Sequence, residues 1–298
     1  MTPSELVSMG CVSSLNPATS IGIVTVSFRS SDAIRNLLAS IPGSTSHPVD
    51  VVVVDNVPGG DEQLAAALRG STARIVRRPD NPGYGGGINA GVATLNPDID
   101  WIFVVNPDLR LDSGSLDELV RVGKGDSTIG ALGPRIRDQN GTVYPSARAI
   151  PSLRLGIGHA LLGDLAPANP WTRRYHAAAD YATERDAGWL SGACILVRRA
   201  AFDGVGGFDD GFFMYFEDVD LGFRLGLSGW RNVFVPSASV EHEGGHSTRQ
   251  HSTSMIDAHH VSARRWVGKR YPGIAWWPVR FIVAVGLRIR KSAKTRQR

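Results

Sequence analysis

The chain has 298 residues, 42% of them apolar, so it can bury a substantial core without cross-links in one large domain with a C-terminal extension. Two distant cysteines, Cys11 and Cys194, with no Cys/His cluster at zinc spacing, exclude a disulfide scaffold or zinc module and point to a reducing compartment, and no run of about twenty uncharged apolar residues supplies a conventional spanning helix. The formal charge of +4 hides an asymmetry: eleven Lys/Arg and no acid follow Asp257, leaving 21 basic and 28 acidic residues upstream, so the C-terminal end is expected to meet something anionic, phospholipid or nucleic acid.

Residues 1–19 are rich in Ser, Thr and Pro and lack a basic start followed by an apolar stretch, so they read as a loose tail and secretion is not indicated. Ile21 to Phe28 predicts a first strand, followed by a helix carrying Ile34, Leu37, Leu38 and Ile41. Val49 to Val54 predicts a second strand ending at Asp55; a helix around Leu64 to Leu68, a third strand at Ala73 to Arg77 and a fourth at Trp101 to Val105 follow. These Val/Ile-rich runs, alternating with helical patterns, are the signature of a mostly parallel sheet buried on both faces. Further on, Ile129 to Ile136 predicts a strand, a turn-rich stretch runs to about Pro170, and Gly188 to Val197 predicts another buried strand. A helix over Glu217 to Leu227, a short strand over Asn232 to Val235 ahead of His242, and a helix over Met255 to Lys269 complete the pattern.

Ligands of open α/β sheets collect beyond the carboxyl ends of strands, and polar motifs stand at such ends here. Asp55 closes VVVVDN and Asn106-Pro107-Asp108 closes WIFVVNPD. Between them Asn81-Pro82-Gly83-Tyr84-Gly85-Gly86-Gly87 opens a helix, where close backbone approach and the helix start favour an anion, although glycines serving packing alone explain the same composition. Gly85 to Ala90 fits G-x-G-x-x-A, the dinucleotide fingerprint, but follows the third strand rather than the first, which weighs against an NAD-dependent oxidoreductase. Asp108, behind a rigid Asn-Pro, suits a hard divalent cation bridging diphosphate oxygens, or a helix cap. Glu217, Asp218 and Asp220 crowd a helix start; the macrodipole accounts for one or two of them, and their mutual repulsion argues that at least one is used in metal, hydroxyl or proton chemistry.

VVVVDN, NPGYGGGINAG, VVNPD, GWLSGACILVRR, GGFDDGFFMYFEDVDLGFRL and VEHEG occur in the order seen in family 2 glycosyltransferases, and the resemblance covers roughly Ile21 to His246. It implies a GT-A, Rossmann-like nucleotide-diphospho-sugar transferase fold over residues 20–250 with a helical, basic, membrane-associating extension over 251–298. By the same resemblance Asp55 contacts the donor nucleoside, with Asn81, Gly83, Gly86, Asn106 and Asp108 completing the donor site. Asp108 matches the last acid of the metal-binding D-x-D element, whose first acid is here Asn106, and His242 matches a histidine that completes metal coordination in some members. The implied cofactor is Mg2+ or Mn2+. Asp218 matches the catalytic base, and Trp189, Ser191 and Glu217 fall at the sugar or acceptor site.

VYPSAR, GWLSGACILVRR and FMYFEDVDLG are most similar to actinobacterial rhamnosyltransferases that add L-rhamnose to N-acetylglucosaminyl-diphospho-polyprenol in cell-wall linker assembly. The resemblance implies an inverting transferase using dTDP-L-rhamnose; another sugar, or a polysaccharide acceptor, is the alternative. The acidic body and the Glu-Asp motif weigh against nucleic acid as a partner. The basic end, where Trp266, Trp276, Trp277, Phe281 and Ile282 mix with Lys and Arg, is then expected to lie on anionic lipid at the cytoplasmic face of the plasma membrane, or to pack its apolar residues on the catalytic domain.

Overall fold

The computed structural model describes residues 19–151, 181–242 and 252–296. The tail expected over 1–19 lies outside them except for Thr19, which is buried and accepts a hydrogen bond from Lys124 Nζ at 2.8 Å. Most of the turn-rich stretch expected before Pro170 also lies outside.

Four strands form one side of the sheet: β1 (Ile21–Ser27), β2 (Val49–Asp55), β3 (Arg74–Arg77) and β4 (Trp101–Val105), in the order β3-β2-β1-β4 and all parallel. Their unbroken apolar runs are divided by the pleat, because successive side chains face opposite ways. Ile21, Ile23, Val51, Trp101 and Phe103 face one core cluster, where α1 (Ser31–Ser44) and α4 (Ser115–Gly125) contribute Leu37, Ile41, Leu116 and Leu119. Val24, Val26, Val52, Val54, Ile102 and Val104 face the other, against Ile88 and Val92 of α3 (Gly83–Val92), Phe202 of α5 (Arg199–Gly204) and Leu221 and Leu225 of α6 (Glu217–Leu227). The short α2 (Glu62–Ala67) covers a satellite cluster with Ile34 and Leu64.

Beyond β4 the order continues through β11 (Cys194–Arg198), β6 (Ile129–Arg137), β12 (Arg231–His242) and β5 (Leu109–Leu111). β11 is antiparallel to both β4 and β6, and β12 is parallel to β6, so six strands share one direction and end at one edge. The mostly parallel sheet expected from the sequence is present. The minor strands β7 (Val143–Tyr144) and β9 (Arg185–Ala187) pair with β6 and β12, while β8 (Ala147–Arg148) and β10 (Trp189–Leu190) form a separate antiparallel pair.

Two expectations are corrected. Gly188 to Val197 is not one strand: β10 pairs with β8, and a turn at Ser191–Ala193 precedes β11, because the backbone there bonds elsewhere, Ser191 N–H to Ser146 O at 2.7 Å and Gly192 N–H to Asp218. The short strand at Asn232 to Val235 continues to His242 through a register shift between Val235 and Ser239 that absorbs Pro236, which a regular ladder would not accommodate. His242 is therefore the last residue of a long strand.

At the C-terminal end, α7 (Ser252–Arg270) packs on the body. Trp266 is 3% exposed and joins Phe212 and Val219 in a cluster, with its ring edge-on to Phe223 at 5.4 Å between centroids. Trp266 thus belongs to the core rather than to a lipid-facing surface. A 3-10 turn over Ile274–Trp276 leads into α8 (Trp277–Arg296), and no helix among the described residues is long and apolar enough to cross a membrane.

Candidate active site

The shared strand direction brings Asp55, the Asn106–Asp108 turn and His242 to one sheet edge, and β11, running the other way, starts there with the Ser191–Ala193 turn. That turn is the junction of the site. Ala193 O accepts Asn106 N–H at 2.8 Å and Gly192 N–H donates to Asp218 Oδ2 at 3.0 Å, while Gly192 O accepts Tyr84 O–H at 2.7 Å. Residues from β4, α3, β11 and α6 are thereby tied together.

Asp218 is the second residue of α6, which starts abruptly after Tyr215 and Phe216, both left-handed at φ 68° and 67°. Two consecutive non-glycine residues in that region store strain of about 1–3 kcal/mol each, a cost that accompanies aiming the helix start at the turn. Asp218 Oδ1 accepts its neighbour Val219 N–H at 2.8 Å, so both oxygens take backbone amides. Burial raises the Asp218 pKa, and the amides of Gly192 and Val219 oppose that rise by favouring the carboxylate. Glu217 is buried, with Oε2 unpartnered; burial first, and the charge of Asp218 second, raise it to about 8. Burial raises both carboxyls, and Asp218 differs in having two backbone amides that favour its charged form. Tyr84 lies beside them: burial, then the charges of Glu217 and Asp218, raise its phenol well above the ordinary value.

Asp220 solves the crowding of acids differently. It is fully buried and faces Arg224 Nε at 2.6 Å and Lys269 Nζ at 2.5 Å. Arg224 also donates to the carbonyls of Val205 and Gly207, and Lys269 reaches Asp209, which Arg265 pairs as well. Asp220 is a structural anchor.

Asp108 and His242 are brought together by β5, which sequence patterning does not reveal: the β5/β12 ladder pairs Leu109 with His242, and His242 Nε2 stands 3.1 Å from Asp108 Oδ1. The imidazole pKa is raised by its side-chain contact with Asp108 against the opposing effect of burial. The contact is short but poorly directed, so the buried Nε2 lacks an aligned hydrogen-bond partner. A carboxylate oxygen and an imidazole nitrogen that converge without hydrogen-bond alignment fit a shared cation. Among the described residues no group of three or more His, Cys, Asp or Glu forms a metal cluster, so substrate oxygens and water would complete the coordination, as is usual for Mg2+ at phosphates.

The other expected residues divide. Asp55 is buried, and its two oxygens accept Val57 N–H at 3.0 Å and Asp61 N–H at 2.8 Å, which shapes the loop after β2. Asn81 is left-handed at φ 44°, with its Oδ1 3.4 Å from Gly83 N. Gly83 has φ +82°, and a Cβ there would meet Phe213 O at 2.0 Å, while Tyr84 N–H already donates to that carbonyl. Gly86 presses on Pro82 and Asp210, and Gly91 on Val24 and Val54. The glycine-rich start of α3 is thus packed against neighbouring backbone and strands, and its amides at Gly83 and Tyr84 have protein partners instead of facing open solvent. Ser191 is buried and forms the turn into β11, its carbonyl accepting Cys194 N–H at 3.2 Å. Trp189 packs along Gly222 of α6, and its Nε1 donates to Ala149 O at 3.1 Å.

Glu217 sets a pH signature of stability. Between about pH 4.5 and 8 the folded state keeps a proton that the unfolded chain has released, so this side chain makes folding less favourable as pH rises through that window. Glu217→Gln, which imitates the neutral acid, is expected to unfold near the wild-type temperature at pH 5 and to gain relative to wild type by pH 8. Thermal unfolding across that range checks this; a difference independent of pH would show that Glu217 is not raised.

Comparison with known proteins agrees with this architecture. The model of the glycosyltransferase-like family 2 matches residues 17–269. The N-acetylglucosaminyl-diphospho-decaprenol L-rhamnosyltransferase of Mycobacterium tuberculosis is 42% identical over 285 residues, covering 92% of both chains. Rhamnosyltransferase WbbL of Escherichia coli is 27% identical over 255 residues, 83% of this chain and 92% of that protein. The mannosyltransferase PcManGT from Pyrobaculum calidifontis, solved with GDP-Man and Mn2+, superposes with a TM-score of 0.55 at 13% identity over 89% of this chain and 68% of its own, which shows the shared GT-A fold. With the family model spanning the sheet, Asp218 at the start of α6 and all but the last residue of α7, the chain belongs to the family 2 glycosyltransferases.

Proposed function

We propose that this enzyme transfers L-rhamnose, with inversion, from dTDP-L-rhamnose to N-acetylglucosaminyl-diphospho-polyprenol. The observation that carries a transferase mechanism is the junction at Gly192–Ala193, which sets Asp218 and the Asn106–Asp108 turn at one sheet edge. The sugar and acceptor rest on the mycobacterial relative, whose name states both L-rhamnose and the N-acetylglucosaminyl-diphospho-decaprenol acceptor. In the proposed reaction Asp218 removes the acceptor hydroxyl proton as that oxygen attacks the anomeric carbon, and the bond to the nucleoside diphosphate breaks on the opposite face. A positioned base of this kind contributes roughly 10²–10⁴-fold. Asp108 and His242 are suited to hold a divalent cation, which when bound would neutralise charge on the departing diphosphate. Manganese in the PcManGT complex supports a divalent ion, and the residues here fit either Mg2+ or Mn2+. Asp55 and the Asn81–Gly86 loop are assigned to shaping the nucleotide side, Trp189 and Ser191 to framing the acceptor side.

The C-terminal helix supplies attachment to the membrane that holds the acceptor. Ile274 (82% exposed), Phe281 (60%) and Ile282 (64%) stand out from the body with Trp276 and Trp277, on a segment whose charged residues are all basic. Apolar and basic side chains together favour an anionic interface, where each basic residue near the surface contributes about 1 kcal/mol. Arg265 and Lys269 are committed to Asp209 and are not counted in this attraction. Peripheral binding at the cytoplasmic face follows from this reading.

Asp218→Asn keeps size and removes basicity, so turnover is expected to fall about 10²–10⁴-fold while donor binding is nearly intact. Mass analysis of product from the sugar nucleotide and a short polyprenyl-diphospho-GlcNAc measures it; near-normal turnover would remove Asp218 as the base. Asp108→Ala and His242→Ala are each expected to raise the divalent-metal concentration needed for half-maximal activity, and an unchanged midpoint in the histidine variant would leave His242 structural. Truncation from Ile274 onward is expected to release the protein from anionic liposomes and to lower activity on long-chain acceptors more than on a soluble short one. Sedimentation at low and high salt decides this, and equal pelleting of both forms would sink the membrane assignment.

A further inference from the structure

Arg148 is a cation on the rim of the site that has no carboxylate contact among the described residues. The β8/β10 pairing sets it directly opposite Trp189, and its guanidinium lies 5.6 Å from the Trp189 ring and 5.9 Å from the Tyr144 ring. Nε donates to Pro145 O at 2.8 Å, which fixes the plane of the fork, and among the described residues the two terminal nitrogens have no hydrogen-bond partner. The side chain is exposed. From Trp189 the chain reaches Gly192 in three residues, held on the way by Ser191 N–H to Ser146 O at 2.7 Å, and Gly192 binds Asp218. The guanidinium lies within electrostatic reach of Asp218, where it is the least of the influences on that carboxyl.

An arginine flanked by two rings, oriented by one backbone carbonyl and left with a forked pair of donors is prepared for a planar or tetrahedral oxyanion. The donor diphosphate is assigned elsewhere in the proposed reaction, to the cation that Asp108 and His242 would hold. The acceptor of the proposed reaction carries a second diphosphate, one sugar ring away from the hydroxyl that Asp218 deprotonates. We propose that Arg148 binds the acceptor diphosphate and so selects diphosphate-linked sugars over neutral glycosides, a specificity that rests on the acceptor reading above. The Tyr144 and Trp189 rings flank the fork.

The test uses the full-length protein without vesicles, so that a phospholipid headgroup is not the anion being read. Two soluble acceptors are compared, a short-chain prenyl-diphospho-GlcNAc and an alkyl GlcNAc glycoside without phosphate. Arg148→Gln is expected to lower kcat/KM for the diphosphate acceptor about ten- to a hundredfold, chiefly through KM, the loss typical of a charge-assisted hydrogen bond. The donor KM and the slow rate on the glycoside stay at wild-type values, and Arg148→Lys restores only part of the loss, since an ammonium keeps the charge without the fork. Equal losses on both acceptors with a shifted acid limb of the pH profile would show that Arg148 acts on Asp218 instead, and unchanged diphosphate kinetics would show no role; either overturns the inference. If wild-type protein fails to use the diphosphate acceptor, the acceptor reading itself falls and this inference with it, whereas an active wild type with an equally active variant overturns this inference alone.

Discussion

The hydrogen bond from Gly192 N–H to Asp218 Oδ2 ties the start of α6 to the turn ahead of β11. Gly192 stands on a turn whose next carbonyl accepts Asn106 N–H, and Cys194, the first residue of β11, pairs with Val105. The position of the carboxylate is therefore referred to the central strands of the sheet rather than to its own helix alone. A Cβ at Gly192 would lie 3.3 Å from the Asp218 Cβ, tighter than most such contacts, so the close approach that makes this bond possible also favours glycine at the turn.

The three acids at the start of α6 would repel if they were equivalent, and the fold makes them inequivalent. Asp220 is buried and neutralised by Arg224 and Lys269, Glu217 is buried without a cation and pushed toward its protonated form, and Asp218 lies between two amides that favour charge. A buried ion pair gives little net stability once desolvation is counted, but breaking it leaves an uncompensated charge and costs several kcal/mol. The Asp220 network therefore acts mainly as a register device. It seats α6 and docks α7 through Lys269 in one arrangement, and Trp266 fills the apolar space beneath.

That docking separates the two roles of the C-terminal segment. α7 spends its large aromatic and part of its basic charge on the catalytic body, and the family match ends at residue 269, within it. α8 and the turn before it leave Ile274, Trp276, Trp277, Phe281 and Ile282 exposed, the surface assigned to membrane contact in the proposed function. The cavity between the two helices, lined by Val261, Arg264, Val283 and Ala284, is away from the carboxylates and takes no part in the chemistry assigned here.

By itself the sequence determined the layered α/β class, the four parallel strands of the first half and β6, the identity of the Asp218 helix and the excess of positive charge at the end, because apolar periodicity and motif order are local properties of the chain. It did not determine β5, a strand of three residues too short for any periodic signal, nor the bulge that carries β12 on to His242, and without both of these Asp108 and His242 would not meet. The glycines at the start of α3 read as an anion cradle, with packing as the alternative, and only the tertiary structure shows how closely Phe213, Pro82 and Val24 approach them. The difference between Glu217 and Asp218 also lies in space, since the two side chains differ by one methylene in sequence but only the Asp218 carboxylate accepts the amides of Gly192 and Val219. Arg148 carried no signal beyond a single basic letter in VYPSAR, and its place opposite Trp189 exists only because β8 and β10, more than forty residues apart, pair across the rim of the site.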